Sequence, residues 1–442
     1  MLRFPLDGRA FEEALSLAER GVAGFCVFTA DDTLAETIAR LQAAAPHRLL
    51  FASDLEEGAG QQLPGCTIHP PAAALSVSAA RAAGGLTALE AMMRGIGMTF
   101  APVCDVVSSP ENPIIQSRAF SDAPGAPAAF VAGARGLGLR TCAKHFPGHG
   151  ATTEDSHTGL PRVDASRELW EQRDLPPFRA CFEAGVDAVM TAHIACPGLS
   201  GDETLPATLS RRVMTGLLRD EMGFAGLCVS DALLMEGVRQ GRTEAEAAVA
   251  ALDAGCDLLI CPEDPVSVLR GLEEAAEPRV SEALERVASM LVPLEATATA
   301  DPRACLAALA AAAARSVEAR GEFPLRPGER PIAVCDLHGD GDVIAERLGL
   351  RAEVLAPDGS VKHVLPGPGL DRNALVVARR DKAWGAPMVL PDPIRRRAED
   401  AALVIVLGTE ALLEGISPPA RIWAPGEDPF TLKAIRRKVL GA

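Results

Sequence analysis

The chain has 442 residues, 48% of them apolar, and a formal net charge of −16. This length exceeds one ordinary domain and suits a barrel of about 250–300 residues followed by a smaller unit. The charge argues against nucleic acid as a partner, because phosphate binding needs a basic patch. No apolar run reaches the roughly 18 residues of a membrane helix.

The first residues, Met1-Leu-Arg-Phe-Pro-Leu-Asp, lack a basic segment followed by an apolar core and a small-residue cleavage site, so no signal peptide is expected. Short apolar runs then recur at residues 2–4, 24–28, 49–53, 98–101, 141–144, 187–192, 227–230 and 257–260. Segments of helical period lie between them, at 11–20, 33–44, 86–95, 128–138, 175–184, 210–222 and 243–254. Continuous rather than alternating apolar strands, joined by helices, indicate a parallel sheet covered on both faces. Eight such units predict an α/β fold, a (β/α)8 TIM-type barrel, with a doubly wound sheet as the alternative. The first strand is the least regular, since Pro5 follows it at once.

The barrel is expected to occupy residues 1–300 and a helical linker 301–330, with an alanine-rich helix over 302–319 and a Pro/Gly-rich end. A second alternation, with apolar runs at 332–335 and 403–407, predicts a small C-terminal α/β accessory domain over 331–442. Its turn Leu337-His-Gly-Asp-Gly-Asp lacks GxGxxG and a Walker lysine, so no nucleotide site is assigned to it. The eleven cysteines show no CxxC spacing, and Cys26, Cys142 and Cys228 lie inside apolar runs. Small buried thiols in a reducing compartment fit this pattern, so a cytoplasmic location is expected.

Polar residues follow the apolar runs repeatedly: Asp54, Lys144-His145, His193 and Asp231. In a parallel barrel all such strand ends face one mouth. The stretch 141–157 is the densest, with His145, His149 and His157, three of the eight histidines, beside Lys144, Glu154 and Asp155. Asp231, directly after a buried run, is placed to be a nucleophile or an electrostatic stabiliser, and equally to cap the helix that follows. Asp155 and His157, two residues apart, make either a tunable acid/base pair or a solvated loop pair. Arg118, Lys144 and His145 taken singly are a surface cation, a strand-end charge and a packed histidine. Together the set supplies a nucleophile, an acid/base and hydrogen-bond donors. No HExxH or other metal spacing and no GxSxG elbow occurs, so neither a metal nor an organic cofactor is expected.

Lys144-His-Phe-Pro-Gly-His-Gly150 followed by Asp155-Ser-His157 resembles the signature of glycoside hydrolase family 3, most closely its NagZ-type β-N-acetylhexosaminidase branch. The similarity runs from about residue 20 to about 265. It takes in Asp54-Leu-Glu-Glu-Gly, Asn112-Pro with Arg118-Ala-Phe, Thr191-Ala-His193, Pro206-Ala-Thr-Leu-Ser210 and Ser230-Asp231-Ala-Leu-Leu-Met235. The resemblance implies retaining hydrolysis of terminal β-linked N-acetylglucosamine, with peptidoglycan fragments as a cytoplasmic substrate. It implies Asp231 as nucleophile and His157, paired with Asp155, as general acid/base. Asp54, Arg118, Lys144 and His145 would hold the sugar, and His193 would line the same mouth. The only partner implied is a small carbohydrate; nothing bears on oligomeric state. A β-glucosidase, a glucoside or N-acetylglucosamine phosphorylase, and an inactive sugar-binding barrel are the alternatives.

The first-loop motif departs from the family's Asp-x-Glu-Gly-Gly-Arg: here it reads Asp54-Leu-Glu-Glu-Gly-Ala-Gly-Gln-Gln62, without arginine. The loop from Gly150 to Ser156 has no apolar anchors and starts at Pro147-Gly148-His149-Gly150, so it is expected to move and close over bound substrate.

Overall fold

The expected runs form the strands β1 Leu2–Arg3, β2 Gly24–Cys26, β3 Leu50–Ser53, β4 Met98–Thr99, β5 Arg140–Phe146, β6 Ala188–Thr191, β7 Leu227–Ala232 and β8 Leu258–Ile260. This is a computed structural model, and it describes residues 1–109, 111–121, 124–156, 159–275, 277–320, 327–337, 341–356, 359–370, 373–378, 390–408, 418 and 420–440. The strands hydrogen-bond in sequence order, each parallel to the next. The backbone of Met1 joins the two ends: its N donates to Leu259 O at 2.5 Å and its O accepts from Cys261 N at 2.9 Å. The result is a (β/α)8 barrel. Pro5, with no N–H to donate, ends β1 after Phe4 N reaches Cys26 O at 2.9 Å.

The barrel is filled, not hollow. Cys26, Leu50, Met98, Cys142, Met190, Leu227 and Leu258 project inward and pack together. The opposite face of each strand meets the helices, in clusters that include Phe25, Phe51 and Leu86 on one side and Phe178, Val189 and Leu217 on the other. Burial on both faces is why these strands read as unbroken apolar runs rather than as alternations.

One helix is longer than its sequence pattern predicts. It spans Val77–Met93, and its first half, Val-Ser-Ala-Ala-Arg-Ala-Ala-Gly-Gly, hides any amphipathic stripe. Gly84 is there for space. A Cβ on it would lie 2.2 Å from Phe130 O, and one on Gly133 would lie 2.1 Å from Arg81 O. The helices Val77–Met93 and Gly125–Gly136 therefore touch backbone to backbone.

The stretch expected as a linker, 301–330, holds the helix Pro302–Ser316 and the strand Glu318–Arg320. That strand joins the second sheet, whose order is Val361–Leu365, Ala352–Leu355, Ile332–Asp336, Ala374–Ala378, Leu403–Leu407, Ala420–Ala424 and Glu318–Arg320. The central five strands are parallel and both edges antiparallel. A three-residue edge strand reading Glu-Ala-Arg carries no apolar run to announce it. The helix Pro302–Ser316 packs on Val77–Met93 of the barrel and on Pro429–Leu440 of the second unit, and so links the two cores. The turn at 338–340 lies outside the described residues. No described helix is long and apolar enough to cross a membrane.

Gly84→Ala forces a methyl group against a carbonyl, an overpacking worth about 1–3 kcal/mol. We expect its thermal unfolding midpoint to fall by several degrees; an unchanged midpoint would show that the two helices have room to part.

Candidate active site

The C-terminal ends of the eight strands surround a cavity of about 350 Å³. Asp54 follows β3, Arg118 ends a short helical turn (Gln116–Arg118) in the connection after β4, Lys144 and His145 belong to β5, and Asp231 belongs to β7. All five line the cavity, over a floor that includes Phe100, Met190 and Ile260. Consecutive residues of a regular strand point to opposite faces, yet Lys144 and His145 both reach it. The β5–β6 register shifts between Ala143 and Phe146, and the Lys144–His145 and Phe146–Pro147 peptides are cis.

Four charges form one network. Lys144 Nζ donates to Asp54 Oδ1 at 2.5 Å and to Glu56 Oε1 at 2.7 Å. Arg118 grips the same Glu56 with two parallel bonds, Nε to Oε2 and Nη2 to Oε1, both 2.9 Å. Side-chain exposure is 3% for Lys144, 6% for Glu56 and 12% for Arg118, but 27% for Asp54. Burial alone would favour a neutral lysine; the Asp54 and Glu56 carboxylates outweigh it and hold the pKa above the ordinary value. Arg118 is raised likewise, burial being overcome chiefly by Glu56. Both cations therefore stay charged, and Asp54 is the member most open to the cavity.

A second network orients the histidines. Asp105 follows β4 in a segment that tracks β5: Lys144 N donates to Pro102 O at 3.1 Å, and Cys104 N donates to Lys144 O at 2.5 Å. Its buried carboxylate accepts from His145 Nδ1 at 2.7 Å and from His149 N at 2.6 Å. Burial raises the Asp105 pKa, but His145 and His149 more than reverse this. The bond to Nδ1 leaves His145 Nε2 for the cavity. His149 is buried, its Nδ1 paired with Thr152 Oγ1 at 2.8 Å and its Nε2 with Ser156 Oγ at 3.1 Å, and desolvation pushes its pKa down to about 4. Asn112 Nδ2 donates to His149 O at 2.9 Å.

Asp231 Oδ1 accepts from Ala232 N at 2.8 Å. Burial works to raise its pKa, and His193, His145, that N–H and Lys144 together lower it below the ordinary value. The carboxylate is thus ionised near neutrality, the state a nucleophile requires. His193 is placed differently from the expectation. It is not among the residues lining the cavity but lies fully buried, its Nε2 donating to Ala232 O at 3.1 Å and its Nδ1 paired with Thr208 Oγ1 at 2.8 Å. Following a strand told which end of the barrel it occupies, not which way its ring turns.

Asp155 is half-buried on the loop after β5 and does not line the cavity. His157 lies outside the described residues. Contrary to the expectation, the loop has an apolar anchor, Ala151, which packs against the core beside β5 and β6, and it has polar ones as well. Ser108 N donates to Gly150 O at 3.1 Å, and Gly237 N donates to Ser156 O at 3.1 Å. Among the described residues no group of three or more His, Cys, Asp or Glu is placed to hold a metal ion.

Two members of these networks, Glu56 and Asp105, are not among the residues expected from the sequence. Glu56 sits in the loop that departs from the family pattern, although Asp-x-Glu spacing sets two carboxylates on one side of an extended segment. Asp105 follows an apolar stretch just as Asp54 does, but Pro102 interrupts the stretch after the run at 98–101.

A barrel mouth that gathers an ionised carboxylate and a network of buried charges around one cavity is an arrangement that glycosidase chemistry can use. Comparison with known proteins agrees. The family described as "Glycosyl hydrolase family 3 N terminal domain" matches residues 10–290. The chain is 35% identical over 303 residues to "Beta-hexosaminidase" of Chromobacterium violaceum, covering 62% of this chain and 84% of that one. It is 41% identical over 182 residues to "Beta-hexosaminidase A" of Pseudoalteromonas piscicida, spanning 38% of this chain but only 30% of that longer one. The solved "glycoside hydrolase family 3 beta-N-acetylglucosaminidase from Paenibacillus sp. str. FPU-7" superposes with a TM-score of 0.82 at 25% identity, over 97% of this chain and 93% of that one. The chain belongs to glycosyl hydrolase family 3.

Glu56→Gln removes the carboxylate shared by Arg118 and Lys144. Charge-assisted bonds of this kind are worth about 1.5–3 kcal/mol, so KM for an aryl glycoside should rise about 10- to 100-fold; an unchanged KM would contradict the role given to the network. A second expectation concerns pH. His69 and His149 are both held near a pKa of about 4, chiefly by burial. Each binds fewer protons folded than unfolded, so their contribution to stability is complete above pH about 6.5 and is lost as the pH falls toward 4. Thermal midpoints should be level above pH about 7 and decline through this window; a flat profile would contradict the burial of neutral imidazoles.

Proposed function

We propose that this protein is a retaining, exo-acting β-N-acetylglucosaminidase. The observation that carries the reading is Asp231, an ionised carboxylate at the end of β7, lining the same cavity as the Asp54–Lys144–Glu56–Arg118 network. A cavity floored by the barrel core accepts the end of a saccharide rather than its middle. Asp54, Arg118, Lys144 and His145 hold the hydroxyls and acetamido group of the terminal sugar.

In the first step Asp231 attacks the anomeric carbon and forms a glycosyl ester while the leaving oxygen takes a proton from His157. In the second step His157, now neutral, takes a proton from water, and the water oxygen displaces the Asp231 carboxylate. Asp155 orients the His157 ring. Support for these two roles is the match of Asp155-Ser156-His157 to the family motif and the attachment of that loop to β5. The reading places the enzyme in the cytoplasm, supported by eleven cysteines that are all free thiols, and names peptidoglycan fragments bearing terminal N-acetylglucosamine as its natural substrates.

An aryl N-acetyl-β-glucosaminide should be hydrolysed faster than the matching β-glucoside, and Asp231→Ala should abolish turnover of both. Equal or reversed rates would overturn the sugar assignment. Release of a sugar 1-phosphate only in the presence of phosphate would replace hydrolysis by phosphorolysis.

A further inference from the structure

The loop after β5 and the segment after β7 meet at one residue. β7 carries Asp231, and the short helix Glu236–Arg239 follows it. Within that helix Gly237 N donates to Ser156 O at 3.1 Å. A Cβ on Gly237 would lie 2.8 Å from Ser156 O, 2.9 Å from Gly159 O and 3.1 Å from the Cβ of His193. Two of these contacts are main-chain carbonyls, one on each side of residues 157–158. The third belongs to the buried histidine that donates to Ala232 O, next to Asp231. No side chain of any size fits without moving one of the three.

Ser156 is held from the other side as well. Its Oγ pairs with His149 Nε2, and His149 is tied through its N–H to Asp105 and through its carbonyl to Asn112. The residue before His157 is thus clamped between the connection after β4, through His149, and the segment after β7, through Gly237.

We propose that Gly237 is a positioning residue that sets the acid/base loop against the nucleophile strand. The inference rests on the proposed role of His157. Its contact surface is the absence of a side chain: the missing Cβ lets the carbonyls of Ser156 and Gly159 approach the segment that follows Asp231. A methyl group there presses most closely on the two loop carbonyls, with His193 Cβ the more distant contact, so it displaces the loop more than the strand that carries Asp231 and separates protonation of the leaving group from attack on the sugar.

The test compares Gly237→Ala, Ser156→Ala and His157→Ala in the full chain, each with two N-acetyl-β-glucosaminides. One bears an activated nitrophenol, which departs without much help from an acid; the other bears a simple alkyl alcohol, which does not. General acid catalysis contributes typically about 10²–10⁴-fold where it is needed. Gly237→Ala should therefore lower kcat/KM for the alkyl glycoside by at least about tenfold more than for the nitrophenyl glycoside. It should also flatten the alkaline limb of the pH–rate profile. Ser156→Ala, which removes one anchor and adds no bulk, should show the same pattern more weakly, and it decides the matter if Gly237→Ala does not fold. If His157→Ala shows the leaving-group dependence while the two other variants slow both substrates equally or not at all, the role of Gly237 is overturned and that of His157 stands. If His157→Ala shows no such dependence, the acid/base assignment falls and this inference falls with it.

Discussion

Lys144 and Arg118 are positive charges nearly out of contact with water, and removing such a group from water costs several kcal/mol unless it is paired and hydrogen-bonded. Glu56 meets that requirement for both at once, with Asp54 completing the coordination of Lys144. The partners come from the segment after β3, the connection after β4 and β5 itself, so the charges gather only if those strands are neighbours in register. The network is accordingly a product of the barrel, and it leaves Asp54, its most exposed member, facing the cavity where a sugar would lie.

Around this network the remaining groups are graded by the charge they must carry. In the proposed mechanism Asp231 attacks as an anion; burial would protonate it, and His193, then His145, the Ala232 N–H and Lys144 outweigh that burial. Asp105 has to be ionised to fix the tautomer of His145, and it is paired on two sides for the same reason. His149 has no charge to carry; its burial keeps it neutral, a fixed post that accepts or donates hydrogen bonds with Thr152 and Ser156. In and beside one cavity, charged neighbours thus keep Asp231 and Asp105 anionic while burial keeps His149 neutral.

The barrel was legible in the sequence because strands buried on both faces must be apolar throughout, and the eight runs read that way coincide with β1–β8. Asp54, Lys144, His145 and Asp231 were legible as a group because every parallel strand delivers its last residues to one mouth. What lay beyond reach depended on close contact in three dimensions. The start of the helix Val77–Met93 was hidden by small residues whose purpose is to let a second helix approach, which only the Gly84–Phe130 contact reveals. The strand Glu318–Arg320 follows no apolar pattern because it lies at a sheet edge. Position after a strand could not separate His193, turned back into the core, from Asp231, turned into the cavity. Nor could it show that Glu56, on a loop that departs from the family pattern, is the common partner of two cations.

The central claim is that Asp231 becomes covalently bonded to the sugar. A fluorinated N-acetylglucosaminyl fluoride, which forms the glycosyl ester faster than it releases it, tests this directly when followed by peptide mass spectrometry. One sugar per chain on the peptide containing Asp231, absent from Asp231→Asn, is the predicted result. A label on any other residue, or inactivation without a covalent adduct, would contradict the account.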